Sequence, residues 1–329
     1  MFWNRSNSDD EGAERKVPGS NSERSSPVPD GGTGTYAEPE REHGNEPDHE
    51  HESEPDRPDD RGGDSRDHAA TALEGIELVL DYPTTAEPIV DGESIAAEPG
   101  AVTALVGPNG SGKSTLLKGL ADQLAPEAGR VYLDGRTIQE FDTKLLARKL
   151  GLLSQERSAP NSITVEELVY HGRYPHRGFF EAVTEADQRA VDRAIELAGV
   201  EHLRDREVGS LSGGQKQLVW IAMVLAQETD VLLLDEPTTF LDLNHQLEVM
   251  EIVETLRDEH DITIVVVLHD IEQAARYADH LVALRDGEIQ ARGAPEEIVT
   301  EELLEDVFEI DATVETTDRG PRITPVHPL

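Results

Sequence analysis

Gly107-Pro108-Asn109-Gly110-Ser111-Gly112-Lys113-Ser114-Thr115 is the stretch on which the fold turns. It fits G-x-x-x-x-G-K-[ST], the phosphate-binding loop, whose glycines let successive backbone N–H groups point inward onto phosphate oxygens. Lys113 neutralises phosphate charge, and the Ser114 hydroxyl can ligate Mg²⁺. The apolar run 101–106 reads as a strand entering the loop, and 116–124 as the helix leaving it, whose positive end adds to the cradle.

Outward from the loop, three further apolar runs end in a polar residue. Residues 231–234 lead into Asp235-Glu236, 262–268 into His269, and 150–153 into Gln155. Continuous apolar runs suit strands buried on both faces, and helices between them make the sheet mostly parallel. Ligands of such sheets are met at the carboxyl ends of the strands. Asp235 is therefore placed to hold Mg²⁺, and Glu236 to orient and deprotonate an attacking water. Leu211-Ser212-Gly213-Gly214-Gln215 opens a helix running to about 227, whose start is a ready anion site.

The order and spacing of these elements resemble the ATP-binding-cassette family, over a span from about residue 69 to the end. The resemblance implies an α/β nucleotide-binding domain of the phosphate-loop NTPase type. It has a mostly parallel core sheet, an antiparallel β subdomain and an α-helical insert. It implies that 107–115 bind ATP, and that Ser114, Gln155 and Asp235 surround Mg²⁺. Glu236, His269 and Gln155 would form the catalytic group, with His269 as the switch histidine. Ser212, Gly213, Gly214 and Gln215 would close over the nucleotide of a second copy in a head-to-tail homodimer. Asp242 would lie in the loop crossing that interface, where Phe240 departs from the commoner Ser-Ala-Leu-Asp. Tyr82 would stack under adenine, for about 1 kcal/mol, in competition with a place in the core.

Composition narrows the class. Lys+Arg 29 against Asp+Glu 68 leave a net charge of −39. Residues 1–70 hold 19 acids and 8 bases, so the remainder carries −28 on its own account. Such a surface repels nucleic-acid phosphates and argues against a nucleic-acid partner. Lysines number six and arginines twenty-three, a balance that resembles proteins of salt-rich cytoplasm, as in halophilic archaea. The absence of cysteine excludes disulfides, thiolate metal sites and thiol catalysis. No signal peptide or bilayer-length apolar run is expected, so a membrane role would be peripheral, at the cytoplasmic face.

Three segments are expected along the chain. Residues 1–68, rich in Ser, Gly, Pro, Asp and Glu, read as a disordered acidic tail. Within it His43, His49 and His51 could scavenge metal or simply be solvated. Residues 69–315 form the ATPase domain, with a helical subdomain at about 156–210, and 316–329 a short C-terminal tail too small for a further regulatory domain. Thr164-Val165-Glu166-Glu167 is a capping box opening a helix, a second helix spans 184–198, and helices at 242–257 and 270–277 alternate with the late strands. Asp134-Gly135 and Asp286-Gly287 mark tight hairpins.

Further segments resemble ATPases of metal-chelate importers. They are Gly172-Arg173-Tyr174-Pro175-His176, Trp220-Ile221-Ala222-Met223, Thr238-Thr239-Phe240-Leu241-Asp242-Leu243-Asn244-His245-Gln246, and Leu268-His269-Asp270 followed by Ala274-Ala275-Arg276-Tyr277. The resemblance implies uptake of iron(III)-siderophore, with cobalamin or haem as alternatives. It also implies two integral-membrane permease subunits and an extracellular binding protein acting indirectly. Arg173 to His176 is expected to touch the permease. The rival class is a soluble cassette ATPase of the iron–sulfur assembly type. DNA-repair types carry long coiled-coil insertions and translation factors two cassettes, and neither fits here.

Overall fold

The structure is a computed structural model that describes residues 73–83, 87–178, 181–318 and 320–329. The acidic segment 1–68 and its histidines lie outside the described residues.

An antiparallel sheet comes first. It contains β1 (Leu73–Leu80), β2 (Val90–Ala97), β4 (Ala128–Leu133) and β5 (Arg136–Thr137), in the order β2-β1-β4-β5. Between its strands the chain contributes β3 (Val102–Val106) to a second sheet, then α1 (Lys113–Leu120). The Asp134-Gly135 hairpin forms as expected, both residues at positive φ (50° and 75°) and Leu133 opposite Arg136. A short helix α2 (Thr143–Lys149), unforeseen from the sequence, follows; Asp142 caps it, accepting from the Lys144 and Leu145 N–H groups.

The second sheet has six strands. After β3 come β6 (Leu150–Leu153), β7 (Val231–Asp235), β8 (Thr263–Val267), β9 (His280–Arg285) and β10 (Glu288–Gly293), in the order β10-β9-β3-β8-β7-β6. All pairings are parallel except that of β10 with β9, which the Asp286-Gly287 turn joins. Every residue of β3, β7 and β8 is buried, as the unbroken apolar runs require.

The two-residue period sorts each strand onto two cores. Leu105, Leu233, Val265 and Val267 face one cluster, where Leu116, Leu117 and Leu120 of α1 also meet Leu73, Leu80 and Val131 of the antiparallel sheet. The loop helix is thus clamped between the two sheets. Val102, Ala104, Val106, Leu232, Leu234, Ile264 and Val266 face the other cluster. There they meet α3 (Val165–Tyr170), α4 (Glu185–Leu197), α5 (Gly213–Leu225), α6 (Leu243–His260) and α7 (Ile271–Tyr277). Burial of each such leucine stabilises by about 1.5–3 kcal/mol.

Capping sets the limits of the helical insert. Thr164 with Glu167 and Thr184 with Asp187 both form capping boxes, at the starts of α3 and α4. Each such cap contributes about 1 kcal/mol.

The segment from 316 corrects the expected tail. After α8 (Pro295–Ile298) and α9 (Glu301–Phe308), β11 (Ile310–Thr317) pairs antiparallel with β12 (Gly320–Pro328). Ala312 is buried, and Val314 and Ile323 pack against the larger core. One apolar face per strand suffices, although the intervening residues are Asp, Thr, Glu and Arg, and Pro321 is itself buried.

Candidate nucleotide site

Four parallel neighbours, β6, β7, β8 and β3, end on the same edge of the sheet. That edge collects the polar residues following each apolar run: Gln155 after β6, Asp235 and Glu236 at β7, His269 after β8 and the loop from Gly107 after β3. Residues 114 apart in sequence, Gln155 and His269, therefore come to bear on one carboxylate.

The loop closes on itself through Lys113. Its Nζ donates to the carbonyls of Gly107 (2.9 Å) and Pro108 (2.8 Å) and lies 3.4 Å from Ser111 Oγ. Burial lowers the Lys113 pKa, while the nearby Glu236 and Asp235 carboxylates act in the opposite sense. Gly107 sits at φ 144°, and a Cβ there would fall 2.0 Å from the Leu284 carbonyl oxygen, so glycine is required.

Asp235 is almost fully buried and accepts a hydrogen bond from Ser114 Oγ at 2.7 Å. Burial pushes its carboxyl above the usual carboxylate range, against the opposing effect of the Ser114 hydroxyl. The next residue, Glu236, takes φ 50°, a backbone conformation that costs a side-chain-bearing residue about 1–3 kcal/mol. The strained turn aims its carboxylate back over the sheet edge. Its Oε1 lies 2.7 Å from His269 Nε2, and its Oε2 accepts from Gln155 Nε2 at 2.9 Å and from Thr239 Oγ1 at 3.2 Å. A carboxylate held from three sides, with both oxygens engaged, is fixed in direction and suited to take a proton from water.

Tyr82, expected under adenine, follows β1 and lies beside the loop helix, with Lys118 Nζ 6.0 Å from its ring centroid. Ser212 to Gln215 form a capping box of their own: Ser212 Oγ accepts from the Gln215 N–H at 3.3 Å and Gln215 Oε1 from the Ser212 N–H at 3.1 Å. Among the described residues no hydrogen bond or ion pair joins them to 107–115. Asp242 caps α6, accepting from the His245 N–H (3.1 Å) and pairing with its Nδ1 (2.9 Å).

Sequence reasoning missed several contacts. The His245 ring packs on Gly214, where a Cβ would lie 2.5 Å from it, so Asp242 and the glycine-rich helix start are linked through one imidazole. Gln217 Nε2, on the same helix, donates to the Pro237 carbonyl at 2.6 Å, tying α5 to the strand end beside Glu236. His245 stands inside the quoted segment 238–246 and Gln217 two residues past Gln215, but only the fold brings them to Gly214 and Pro237. Phe240 takes φ 62° and is 97% exposed, so among the described residues its ring has almost no packing.

Arg173 corrects an expectation. It is buried, not on a contact surface: its Nε reaches Asp187 Oδ1 (3.1 Å), and its Nη1 the Ala226 carbonyl (2.7 Å) and Glu228 (2.8 Å). A guanidinium so enclosed holds the helical insert together. Tyr174, stacked on His171 with ring centroids 5.0 Å apart, remains 56% exposed.

A phosphate cradle, a buried oxygen pair and an oriented carboxylate on one sheet edge form the apparatus of a nucleoside triphosphatase. Residues 90–239 match the model of the ABC transporter family. Over 238 residues the chain is 49% identical to the ferric enterobactin transport ATP-binding protein FepC of Escherichia coli, covering 72% of this chain and 86% of FepC. Over 250 residues it is 38% identical to the cobalamin import ATP-binding protein BtuD of Halobacterium salinarum, covering 76% and 62%. A solved dimeric bacterial ABC transporter cassette superposes with a TM-score of 0.60 at 27% identity, covering 68% of this chain and 98% of the cassette. The chain belongs to the ABC transporter family, as an ATP-binding subunit of the siderophore and cobalamin importer type.

Proposed function

We propose that the chain hydrolyses ATP to energise import of an iron(III)-siderophore, working as a homodimer under two permease subunits at the cytoplasmic face of the membrane. The observation that carries the hydrolytic part is the Glu236 carboxylate gripped by Gln155, Thr239 and His269 beside the Lys113 loop. The greater identity to a ferric siderophore relative than to a cobalamin relative, 49% against 38%, favours the iron chelate as cargo. An extracellular binding protein would deliver it to the permease. Among the described residues no helix is long and apolar enough to cross a membrane.

In this reading the loop 107–115 binds the phosphates, and Tyr82 lies against the base. Glu236 takes a proton from water as the water oxygen attacks the γ-phosphorus. The bond from phosphorus to the β-bridging oxygen breaks, leaving ADP and phosphate. His269 holds the carboxylate in line, and Gln155 reports its position to the helical insert. Ser114 Oγ and Asp235 Oδ1, 2.7 Å apart, form a hard oxygen pair that fits Mg²⁺, and Gln155, bonded to Glu236, would complete its surroundings. When bound, that cation would neutralise charge on the phosphates. Ser212 to Gln215 would cover the nucleotide of the second copy, and Asp242 would lie at the seam between them. The acid excess and scarcity of lysine suit a salt-rich cytoplasm.

Uptake of labelled iron(III)-siderophore and of labelled cobalamin, in a strain lacking this chain and in one with it restored, tests the proposal. Restored iron uptake alone is the expected result. Restored cobalamin uptake alone would reassign the cargo, and restoration of neither would remove the transport role.

A further inference from the structure

Arg157 stands two residues beyond Gln155, on the segment that leaves β6 at the site edge. Its guanidinium Nη1 is buried, and among the described residues it has no hydrogen-bond partner. Among the described residues it forms no ion pair either: Asp235, the acid whose field acts on it, is engaged by Ser114. A buried charged donor left unpaired costs far more than an exposed one, so such a group persists where an anion completes it. The loop's own cation, Lys113, rests against the Gly107 and Pro108 carbonyls and Ser111, so the loop does not supply a partner to Arg157. The segment bearing Arg157 also carries Gln155, which touches Glu236, the carboxylate aimed at the reacting end of the nucleotide.

We propose that Arg157 is a nucleotide-recognition residue whose guanidinium donates to the terminal phosphate of a triphosphate held by its own chain. This rests on the reading of 107–115 as the nucleotide loop. A planar fork of N–H donors matches a phosphate face better than an ammonium does. Arg157 would thus give the isolated chain a preference for tri- over diphosphate before any second copy closes. It would also draw the Gln155 segment toward the site when ATP binds.

The test uses the full chain, displacing a fluorescent ATP analogue with ATP or ADP at a protein concentration where the chain is monomeric. Arg157→Gln should weaken ATP by about tenfold to a hundredfold, the range for loss of a charged hydrogen bond, and ADP by less than about threefold. Arg157→Lys should recover part of the ATP affinity, and Arg157→Gln should melt no lower than the native chain, because Arg157 has no partner to lose and its unpaired charge is relieved. Unchanged ATP affinity in Arg157→Gln, or equal weakening of ATP and ADP, would overturn the assignment. Lys113→Ala is the control that separates the two readings. If it binds nucleotide as the native chain does, the nucleotide site itself is misplaced. If it loses binding while Arg157→Gln does not, only the role of Arg157 falls.

Discussion

Replacing Glu236 with glutamine isolates the chemistry from the binding. The side chain keeps its length and volume, so the contacts along β7 and the φ 50° turn are undisturbed. It loses the one thing the carboxylate supplies, an oxygen basic enough to take a proton from water. A positioned general base contributes about 10²–10⁴ in rate, which corresponds to about 3–5.5 kcal/mol of activation free energy. The geometry adds a second effect. Both carboxylate oxygens are bonded, one to His269 and one to Gln155 and Thr239, but an amide has only one accepting oxygen. If that oxygen keeps His269, the new NH₂ meets the Gln155 NH₂, and Gln155 must turn its own amide to accept. Turnover measured by phosphate release should therefore fall by about 10⁴-fold, the upper end of that range, or more. Binding of a fluorescent ATP analogue should stay within about threefold of native, because no phosphate contact is touched. ATP should also accumulate a dimer visible by light scattering, since closure proceeds and hydrolysis does not reopen it. Turnover within about tenfold of native would refute the assignment of Glu236 as the base.

Other perturbations separate the remaining parts. His269→Ala should reduce turnover by about tenfold to a hundredfold while leaving ATP affinity unchanged, because the imidazole orients Glu236 without being the base; single-turnover phosphate release reads it. Asp187→Asn should destabilise the fold by about 3 kcal/mol in urea at neutral pH, since it leaves the buried Arg173 one carboxylate short, with Glu228 as its remaining anion. Burial raises the Asp187 pKa, but the Thr184 N–H and hydroxyl and the Arg173 guanidinium outweigh it and bring the carboxyl below the usual range. Its folded value thus lies below its unfolded one. The stabilisation is present above the unfolded value, near pH 4, and is lost as pH falls through the folded value, so the variant should show a shallower acid limb of stability against pH. Raising salt from about 0.1 M to about 2 M should raise the melting temperature, because the charge of −28 outside the first 70 residues repels itself less when screened; a falling temperature would remove that reading.

Much of the site is legible in the chain because its residues sit at the junctions where local pattern changes. The runs before Asp235, His269 and Gln155 are apolar without alternation, which marks strands buried on both faces, and a polar residue at the end of such a run has only the sheet edge to occupy. The glycines before Lys113 and the capping boxes at Thr164 and Thr184 are equally local, and the helices begin where those patterns place them. What no local pattern carries is the order in which strands lie side by side. Gln155 and His269 meet on Glu236 because β6, β7 and β8 are neighbours. The burial of Arg173 is hidden for the same reason: arginine reads as a surface residue, and its carboxylate partners stand 14 and 55 positions away. The β11–β12 hairpin is missed because prolines stand among the inward positions of β12, Pro321 being buried, and Thr, Glu and Arg fill the exposed ones.

The central claim is that the glycine-rich helix start of one copy completes the nucleotide site of another. The absence of cysteine allows a direct measurement. Copies carrying Asn109→Cys are mixed with copies carrying Ser212→Cys, oxidised with and without ATP, and separated on a non-reducing gel. A covalent heterodimer should form when ATP is present and be scarce without it. ATP binding by both variants with no covalent heterodimer at any nucleotide concentration would contradict it.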